Sequence, residues 1–288
     1  MRNKKWTIEE IETLKSSANG SVSIQFISDK IGRTRNSVKR KLDTLGLTNP
    51  YKKTIHSSDD SFWAEYNKIN CYWAGFSAAD GCIRDNGGSS VFSIVLQGQD
   101  YEHLKIFAKH AKLTQEVKII RRKYGGIYRE YAEIKVSNKK WKKDLEKNFG
   151  IIPRKTFNFK SPNVPEKYQL YWLAGFIDGD GCYSKLTQSG HISISAVAAT
   201  EESLNIFSRI ISEYKGEKTS ITKTTGKRSY FKVNLSCYPA AKLAFDVMNL
   251  SCPHLRRKYE KVKALLCEKY NLSLPPYEEK LAQLATTR

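Results

Sequence analysis

Two short segments of the sequence each end in an aspartate followed by a glycine. The second reads LAGFIDGDG over residues 173–181, and the first reads WAGFSAADG over residues 73–81. Both continue an apolar pattern with helical spacing, so each is expected to end a helix that presents one carboxylate, Asp80 or Asp180. An acid in the last turn of a helix opposes the helix dipole, at a cost of roughly 0.3–1 kcal/mol. Its occurrence at both sites predicts a compensating positive charge.

Small residues accompany both aspartates. Gly75 and Ala79 in the first segment, and Gly175 and Gly179 in the second, are four residues apart and lie on one face of a helix. A face without bulky side chains lets two helix backbones approach closely. We therefore predict that the two helices pack against each other and bring their terminal aspartates together.

Two neighbouring carboxylates in a basic protein suit a hard divalent cation. Mg²⁺ takes few protein carboxylates and completes its shell with water and phosphate oxygens. The chain has 288 residues and 49 Lys and Arg against 29 Asp and Glu, a formal net charge of +20 that favours a polyanionic partner. The chemistry that fits is phosphodiester hydrolysis, with Mg²⁺ or Mn²⁺ held by Asp80 and Asp180.

Other classes of protein fit the composition less well. No run of 18 or more apolar residues exists, which excludes a transmembrane helix, and no amphipathic or lipidation motif favours a membrane surface. The six cysteines and five histidines show no metal-ligand spacing, so neither a zinc site nor a disulfide framework is expected. The N-terminus lacks an apolar signal core. Together these features predict a cytoplasmic protein.

Residues 1–47 have the pattern of three short helices. The last one is basic and follows a turn at Gly32, which is typical of a helix-turn-helix. The segment resembles small Myb-like or resolvase-like modules, and a basic helix packed on the rest of the protein is the alternative. Residues 48–60 are polar and are predicted to form a linker. The residues expected to contact phosphates or base edges are Arg33, Arg35, Asn36, Lys39 and Arg40.

From residue 61 the order of predicted elements repeats. Residues 61–161 indicate helix, hairpin, helix, hairpin, helix, and residues 162–288 repeat that order and add C-terminal helices. The predicted fold class is therefore α+β, a duplicated αββαββα unit with pseudo-two-fold symmetry and antiparallel sheets, preceded by a small all-α domain. Cys82 and Cys182, which follow the two motifs, are expected to be small buried strand residues.

The duplicated pattern resembles the single-chain, two-motif LAGLIDADG homing endonucleases over residues 62 to about 270. The family holds metal with the eighth motif residue, here Asp80 and Asp180. The first motif departs from the family pattern at Ser77 and Ala78, and Asp178 is expected to be structural. The resemblance implies a monomer that cuts both DNA strands across the minor groove, leaving short 3′ overhangs. A mobile intron or a free-standing gene is the expected context, rather than an intein.

The resemblance also implies four further site residues. Each half should carry a lysine after its last helix, and Lys155 and Lys258 match that place. They would stabilise the charge that develops on the cleaved phosphate or lower the pKa of the attacking water, with simple phosphate binding as the alternative. Asp100 and Thr200 stand where the family often orders water through a polar side chain. Both are also candidates for helix N-caps.

In the family, two antiparallel sheets form a saddle over the major groove. Strands rise by ~3.3 Å per residue and base pairs by ~3.4 Å, so strands of about eight residues per half would follow roughly 16–20 base pairs. The helix-turn-helix would extend contact beyond that site. The hairpin residues that fit this surface are Arg84, Lys118, Arg121, Lys123, Arg129, Lys185, Gln188, His191, Lys218, Lys223, Lys227, Arg228 and Lys232.

Two other functions remain open at this point. The same scaffold could hold DNA as a non-enzymatic regulator, or it could bind intron RNA as a splicing maturase. The retention of Asp80 and Asp180 argues against the regulator, because a protein that only holds DNA does not need both carboxylates. The maturase stays open as an added activity.

Overall fold

The computed structural model describes residues 5–50, 56–85, 89–225 and 229–286. The chain divides into two compact units, with the boundary after His56. Within the described residues, none of the helices combines the length and apolar character needed to cross a membrane. The predicted turn at residues 86–88 and the predicted site residues Lys227 and Arg228 lie outside the described residues.

The N-terminal unit contains three short helices around a small core. They are α1 (Ile8–Ser17), α2 (Ile24–Ile31) and α3 (Arg35–Thr44). The side chains of Thr7, Ser23 and Thr34 accept hydrogen bonds from backbone N–H groups in the first turns of these helices. These N-caps fix the residue at which each helix begins. Gly32 takes the left-handed conformation (φ 71°) that closes α2. The buried core residues are Leu14, Ile27, Val38 and Leu42.

The second unit contains two copies of the order αββαββα, as predicted. The first copy consists of α4 (Lys68–Asp80), β1 (Gly81–Asp85), β2 (Ser90–Gln97), α5 (Tyr101–His110), β3 (Lys118–Tyr124), β4 (Ile127–Ser137) and α6 (Lys139–Phe149). The second consists of α7 (Glu166–Asp180), β5 (Gly181–Lys185), β6 (Ile192–Ala198), α8 (Asn205–Lys215), β7 (Thr222–Thr224), β8 (Tyr230–Ser236) and α9 (Cys237–Asn249). Two C-terminal helices follow, α10 (Arg256–Tyr270) and α11 (Tyr277–Thr286).

Each copy forms its own antiparallel sheet of four strands. The strand orders are β1-β2-β4-β3 and β5-β6-β8-β7, so the same topology occurs twice. Helices cover one face of each sheet, and that face is apolar because alternate strand residues such as Phe92, Ile94 and Leu96 point into the core. The duplicated fold class is confirmed.

The first motif helix begins later than its apolar pattern predicts. Apolar residues recur at helical spacing from Phe62 through Tyr66 and Ile69, which predicts a continuous helix, but α4 starts at Lys68. Asn67 and Asn70 form a reciprocal capping box, which satisfies the first backbone N–H groups and fixes the helix start there. Phe62 and Trp63 instead pack in the preceding turn against Trp141.

Candidate active site

The two motif helices pack with their backbones in direct contact. A Cβ added to Gly75 of α4 would lie 1.9 Å from the carbonyl oxygen of Trp172 in α7. A Cβ added to Gly175 of α7 would lie 1.8 Å from the carbonyl oxygen of Tyr72 in α4. Both distances are far below a van der Waals contact, so each position accepts only glycine. The small residues at these positions therefore allow the helices to cross.

The aspartates are the last residues of these two helices, where the packed pair ends. A Cβ added to Gly179 would lie 2.3 Å from the Cβ of Ala79 and 3.4 Å from Oδ2 of Asp80. The Asp80 carboxylate therefore reaches across to the end of α7, where Asp180 is the final residue. Asp80 is half-buried and Asp180 is exposed. The structure brings the two predicted carboxylates to one place.

The environment of the pair disfavours two negative charges. Burial, together with the charge of Asp180, raises the pKa of Asp80 to about 6. Asp180 reaches solvent, but the protein around the helix end still raises its pKa, and the positive charges of Lys155 and Lys258 oppose that rise. A bound cation would relieve the repulsion that contributes to the raised pKa of Asp80.

The predicted lysines lie at the C-terminal ends of the motif helices. Nζ of Lys155 donates to the carbonyl oxygen of Ala79 at 2.9 Å. Nζ of Lys258 donates to three carbonyl oxygens at the end of α7, those of Ile177 (2.7 Å), Gly179 (3.1 Å) and Gly181 (2.7 Å). These are the compensating charges that the sequence predicted. Burial lowers the pKa of each lysine, while the aspartates oppose the shift.

The donor set fits a hard cation that is held mainly by water and phosphate. Among the described residues there is no cluster of three or more His, Cys, Asp and Glu side chains that could enclose a metal. The available ligands are the carboxylates of Asp80 and Asp180. Mg²⁺ and Mn²⁺ are bound in this way, through one or two carboxylates, at sites that act on phosphates.

Neither Asp100 nor Thr200, both candidates for helix N-caps, makes an N-cap hydrogen bond in the structure. Asp100 is buried and makes no N-cap hydrogen bond, because both of its carboxylate oxygens accept from Nε of Arg257, at 3.2 Å each. Thr200 lies before α8 and is not its N-cap, and its hydroxyl contacts Ser203 Oγ at 2.6 Å. The two residues are therefore not structural counterparts.

Asp178 is structural, as expected, and it connects the two halves. Its side chain is buried, and Oδ2 accepts from the Tyr72 hydroxyl at 2.8 Å and from the backbone N–H of Leu255 at 2.9 Å. Burial raises the pKa of Asp178 to about 6. Tyr72 and Arg257 bind Asp178 and Asp100, respectively, from the opposite half, and neither was predicted from the sequence. Neither residue carries a local sequence signal, since each partner lies more than 100 residues away.

Cys82 and Cys182 were predicted to be buried, and this was wrong. Both thiols are exposed and unpaired with another cysteine. In β1, Gly81 and Ile83 point into the core, so alternation turns Cys82 outward. The same alternation in β5 turns Cys182 outward. Both therefore lie on the sheet face opposite the helices.

Strand register divides the predicted DNA-binding residues of the first half between two sheet faces. The open face, opposite the helices, includes Cys82 and therefore its β1 neighbour Arg84. Pairing through β2 and β4 places Lys118 and Arg129 on that same face. Arg121 and Lys123 fall on the other face, where Arg121 pairs with Glu130 at 2.9 Å. The prediction for Arg121 and Lys123 is corrected, because one step along a strand reverses the face.

Two basic residues on the open face were missed. Arg122 is paired across β3 and β4 with Arg129, which places both on one face, and Lys135 lies opposite Ser93 there. Both cations flank Glu133, at 3.1 Å and 2.6 Å. Arg122 and Lys135 lie in a stretch rich in basic residues, and the sequence alone does not reveal the strand register that decides which of these residues face outward.

The second half shows the same division. Pairing through β6 and β8 places Lys232 on the open face with Asn234. Lys223 lies on the helix-covered side, with Nζ 5.8 Å from the Phe231 ring. Lys185 is paired with Glu268 of α10. The predictions for Lys185 and Lys223 are thus corrected by register.

The remaining predicted contact residues fall into three environments. His191 is half-buried and its Nδ1 lies 2.8 Å from the Tyr270 hydroxyl, so it packs on α10 instead of facing outward. Arg33 pairs with Glu10 at 2.7 Å and covers the Trp6 ring, so it holds the N-terminal unit together. The exposed residues are Gln188, Lys218, Arg35, Asn36, Lys39 and Arg40.

Scans of protein-family models and of curated proteins find no match to this chain. Among solved structures, the LAGLIDADG meganuclease I-AabMI bound to uncleaved DNA has a TM-score of 0.44 and 12% identity, over 77% of this chain and 99% of that one. A mesophilic variant of the homing endonuclease I-DmoI has a TM-score of 0.47 and 14% identity, over 70% of this chain and 98% of that one. I-WcaI bound to its DNA recognition sequence has a TM-score of 0.46 and 15% identity, over 76% and 97%.

Proposed function

We propose that this chain is a single-chain LAGLIDADG homing endonuclease, which hydrolyses both strands of double-stranded DNA at a specific site with a divalent metal. One observation carries the proposal. Asp80 and Asp180 end two glycine-packed helices at one place, each beside a lysine that contacts the carbonyl end of its helix, half-buried in the case of Lys155 and buried in the case of Lys258. A regulator that only held DNA would gain nothing from this costly pair.

The chain's own groups divide the work at this centre. Asp80 and Asp180 would hold Mg²⁺, or Mn²⁺ in its place, which when bound polarises the phosphate and lowers the pKa of its water. Lys155 and Lys258 fix positive charge within reach of both carboxylates and oppose the rise in their pKa values. They thereby favour the ionised form of the aspartates that metal binding requires.

The open faces of the two sheets are the proposed DNA contact surface. In the first half this face carries Arg84, Lys118, Arg122 and Arg129, and in the second half it carries Lys232. Strand side chains that alternate between polar and basic can read base edges and contact phosphates. The halves differ in sequence, so the recognised site need not be palindromic. The exposed basic residues of α3 would add contacts in a separate unit.

The test uses double-stranded DNA from the chain's own genomic locus, with the surrounding insertion removed. We expect Mg²⁺ to support cleavage of both strands and a chelator to abolish it. Asp80→Asn and Asp180→Asn should lose double-strand cleavage and keep DNA binding, because the fold and the open faces remain. Glu213→Gln, which removes one carboxylate from an exposed position of α8, should cut normally.

The outcomes separate the candidate functions. Cleavage that survives either aspartate substitution would overturn the assignment of the metal site. Binding without cleavage in Mg²⁺ would favour the regulator, and RNA-dependent splicing would favour the maturase. A monomer acting alone is part of the proposal, since one chain already supplies both carboxylates.

A further inference from the structure

A buried hydrogen-bond loop joins the end of α7 to the start of α10. Asp178 is only 1% exposed, and its Oδ2 accepts from the backbone N–H of Leu255, the residue that caps α10. A leucine has no side-chain acceptor for the free N–H groups of a helix start. The carboxylate of Asp178 accepts from the N–H of the capping residue itself, which is one of the four free N–H groups of the helix start.

The helix that Asp178 caps is the helix that carries Lys258. This lysine lies in the first turn of α10, and its Nζ donates back to the carbonyl oxygens of Ile177, Gly179 and Gly181. Lys258 is buried at 8% exposure. Asp178 and Lys258 therefore close a ring between two elements, and the position of the ammonium group relative to Asp180 depends on the Asp178 contact.

The first half has no such ring. The position that corresponds to Asp178 is Ala78, which is buried and has no side-chain acceptor. Lys155 begins a short 3₁₀ helix (Lys155–Phe157) after Arg154, which has φ 57°. Its Nζ contacts one carbonyl oxygen, that of Ala79. The two catalytic lysine candidates are thus held by different means.

We propose that Asp178 is a positioning residue that fixes Lys258, and that the strand served by Lys258 depends on Asp178 while the other strand does not. The strand assignment rests on the proposed function, with each lysine serving the strand at its own motif helix. The positioning of Lys258 does not rest on it. Loss of Asp178 should therefore convert a double-strand cut into a nick in one strand.

Two substitutions of Asp178 distinguish positioning from simple packing. Asp178→Asn keeps an oxygen that can accept from both Tyr72 and Leu255, because a single carboxylate oxygen receives both bonds. Asp178→Ala removes both bonds. Tyr72→Phe removes the contact between the halves, together with the 3.0 Å contact of the same hydroxyl with Nε2 of His103, and leaves the Asp178 contact with Leu255 in place. It serves as the control for general destabilisation of the helix pair.

The first measurement reports the lysines directly and needs no cleavage. An amine-reactive reagent is applied to the folded protein, and modification of Lys258 and Lys155 is followed by mass spectrometry. Asp178→Ala should raise the modification rate of Lys258 by about tenfold or more, because local opening then exposes a buried group. Lys155 should stay at the wild-type rate, and Asp178→Asn should protect Lys258. Equal increases at both lysines, or no increase at Lys258, would overturn the positioning role.

The second measurement follows each labelled strand in a single turnover with Mg²⁺. Asp178→Ala should slow one strand by about 10–100-fold and accumulate nicked DNA, since a small misplacement of a charged group costs that much. Lys258→Met should slow cleavage of the same strand, and Lys155→Met should slow cleavage of the other strand. Asp178→Asn and Tyr72→Phe should leave the ratio of the two strand-cleavage rates near the wild-type value. Equal slowing of both strands by Asp178→Ala would refute the asymmetry. A wild-type protein that cuts no DNA would refute the proposed function, while the lysine labelling would still decide the positioning role.

Discussion

Replacing Asp80 by asparagine should make the protein more stable at neutral pH while it removes a proposed metal ligand. In the folded protein, burial and the charge of Asp180 raise the pKa of Asp80 to about 6, from the ordinary value of 3.8. The folded state therefore binds this proton more tightly than the unfolded state. The resulting stabilisation is fully present below the unfolded pKa and is lost as the pH rises through about 6.

The size of the effect follows from the difference between the two pKa values. Each unit corresponds to about 1.36 kcal/mol, so the ionised Asp80 costs roughly 3 kcal/mol of folding free energy at pH 7.5. At pH 5.0 the folded protein is largely protonated at Asp80, and roughly half of this cost disappears. The attraction of Lys155 and Lys258 is already included, since both lower the same pKa. The unfolding free energy of Asp80→Asn should therefore exceed that of the wild type most at pH 7.5, and by about half as much at pH 5.0.

Metal binding should make the wild-type protein more stable relative to Asp80→Asn. A ligand that binds only the folded state stabilises it, by about 2.7 kcal/mol at 100 times its dissociation constant. Wild-type protein should therefore gain stability on addition of Mg²⁺ at pH 7.5, and Asp80→Asn should gain much less. The buried carboxylate is unfavourable by itself and becomes favourable with its cation, which is the expected behaviour of a preorganised metal site.

Denaturant-induced unfolding, followed by tryptophan fluorescence, measures these changes. Four buried tryptophans lie in the second unit, at positions 63, 73, 141 and 172, so the signal reports the unit that contains the site. Glu213→Gln is the control for removing one negative charge at an exposed position. A lower unfolding free energy for Asp80→Asn at pH 7.5 without metal, or an equal gain at both pH values, would refute the reasoning.

Two further predictions test the helix contact and the sheet register. Gly175→Ala should cost about 3 kcal/mol or more in unfolding free energy, because the added methyl would meet a backbone carbonyl at 1.8 Å, whereas Gly98→Ala, with contacts no closer than 3.3 Å, should change it little. Similar losses for both would contradict the helix contact. Arg122→Ala should weaken DNA binding and reduce its salt dependence by roughly one counterion, and Arg121→Ala on the opposite face should not, as measured by binding titrations at several salt concentrations. Equal effects would contradict the assigned open face.

The repeat and the helix pair could be predicted from sequence because their signals are local. The glycines at one helical spacing and the terminal aspartates lie within nine residues, and the order of elements recurs along the chain. The open face of the sheets could not be predicted in this way. Arg121 and Arg122 are adjacent arginines, so their sequence does not distinguish them. Only the pairing of β3 with β4 decides which of the two lies on the open face of the sheet.

Asp80 and Asp180 are 100 residues apart, and so are Asp100 and Thr200, but the strands between them do not keep this spacing. Gly81 pairs with Ile94 in the first sheet, while Gly181 pairs with Ala196 in the second, so the second half has gained two residues by that strand. Asp100 and Thr200 keep the spacing of the motifs but not of the structure. A constant offset in residue number therefore identifies equivalent residues of the two halves only up to the first loop that differs in length.

The lysines explain how an acid can end each motif helix. A helix C-terminus carries unsatisfied carbonyl groups and a partial negative charge, so a second negative charge there is unfavourable. Lys155 and Lys258 contact those carbonyl groups directly, and their charges also act on the aspartates. Removing Lys155 would take a donor from the half-buried carbonyl group of Ala79, and removing Lys258 would take one from three carbonyl groups at the end of α7. Either change would also raise the pKa of the neighbouring carboxyl. A loss of activity in such a variant therefore mixes folding with chemistry, and only a comparison of the two DNA strands, each of which we propose to be served by one lysine, can separate them.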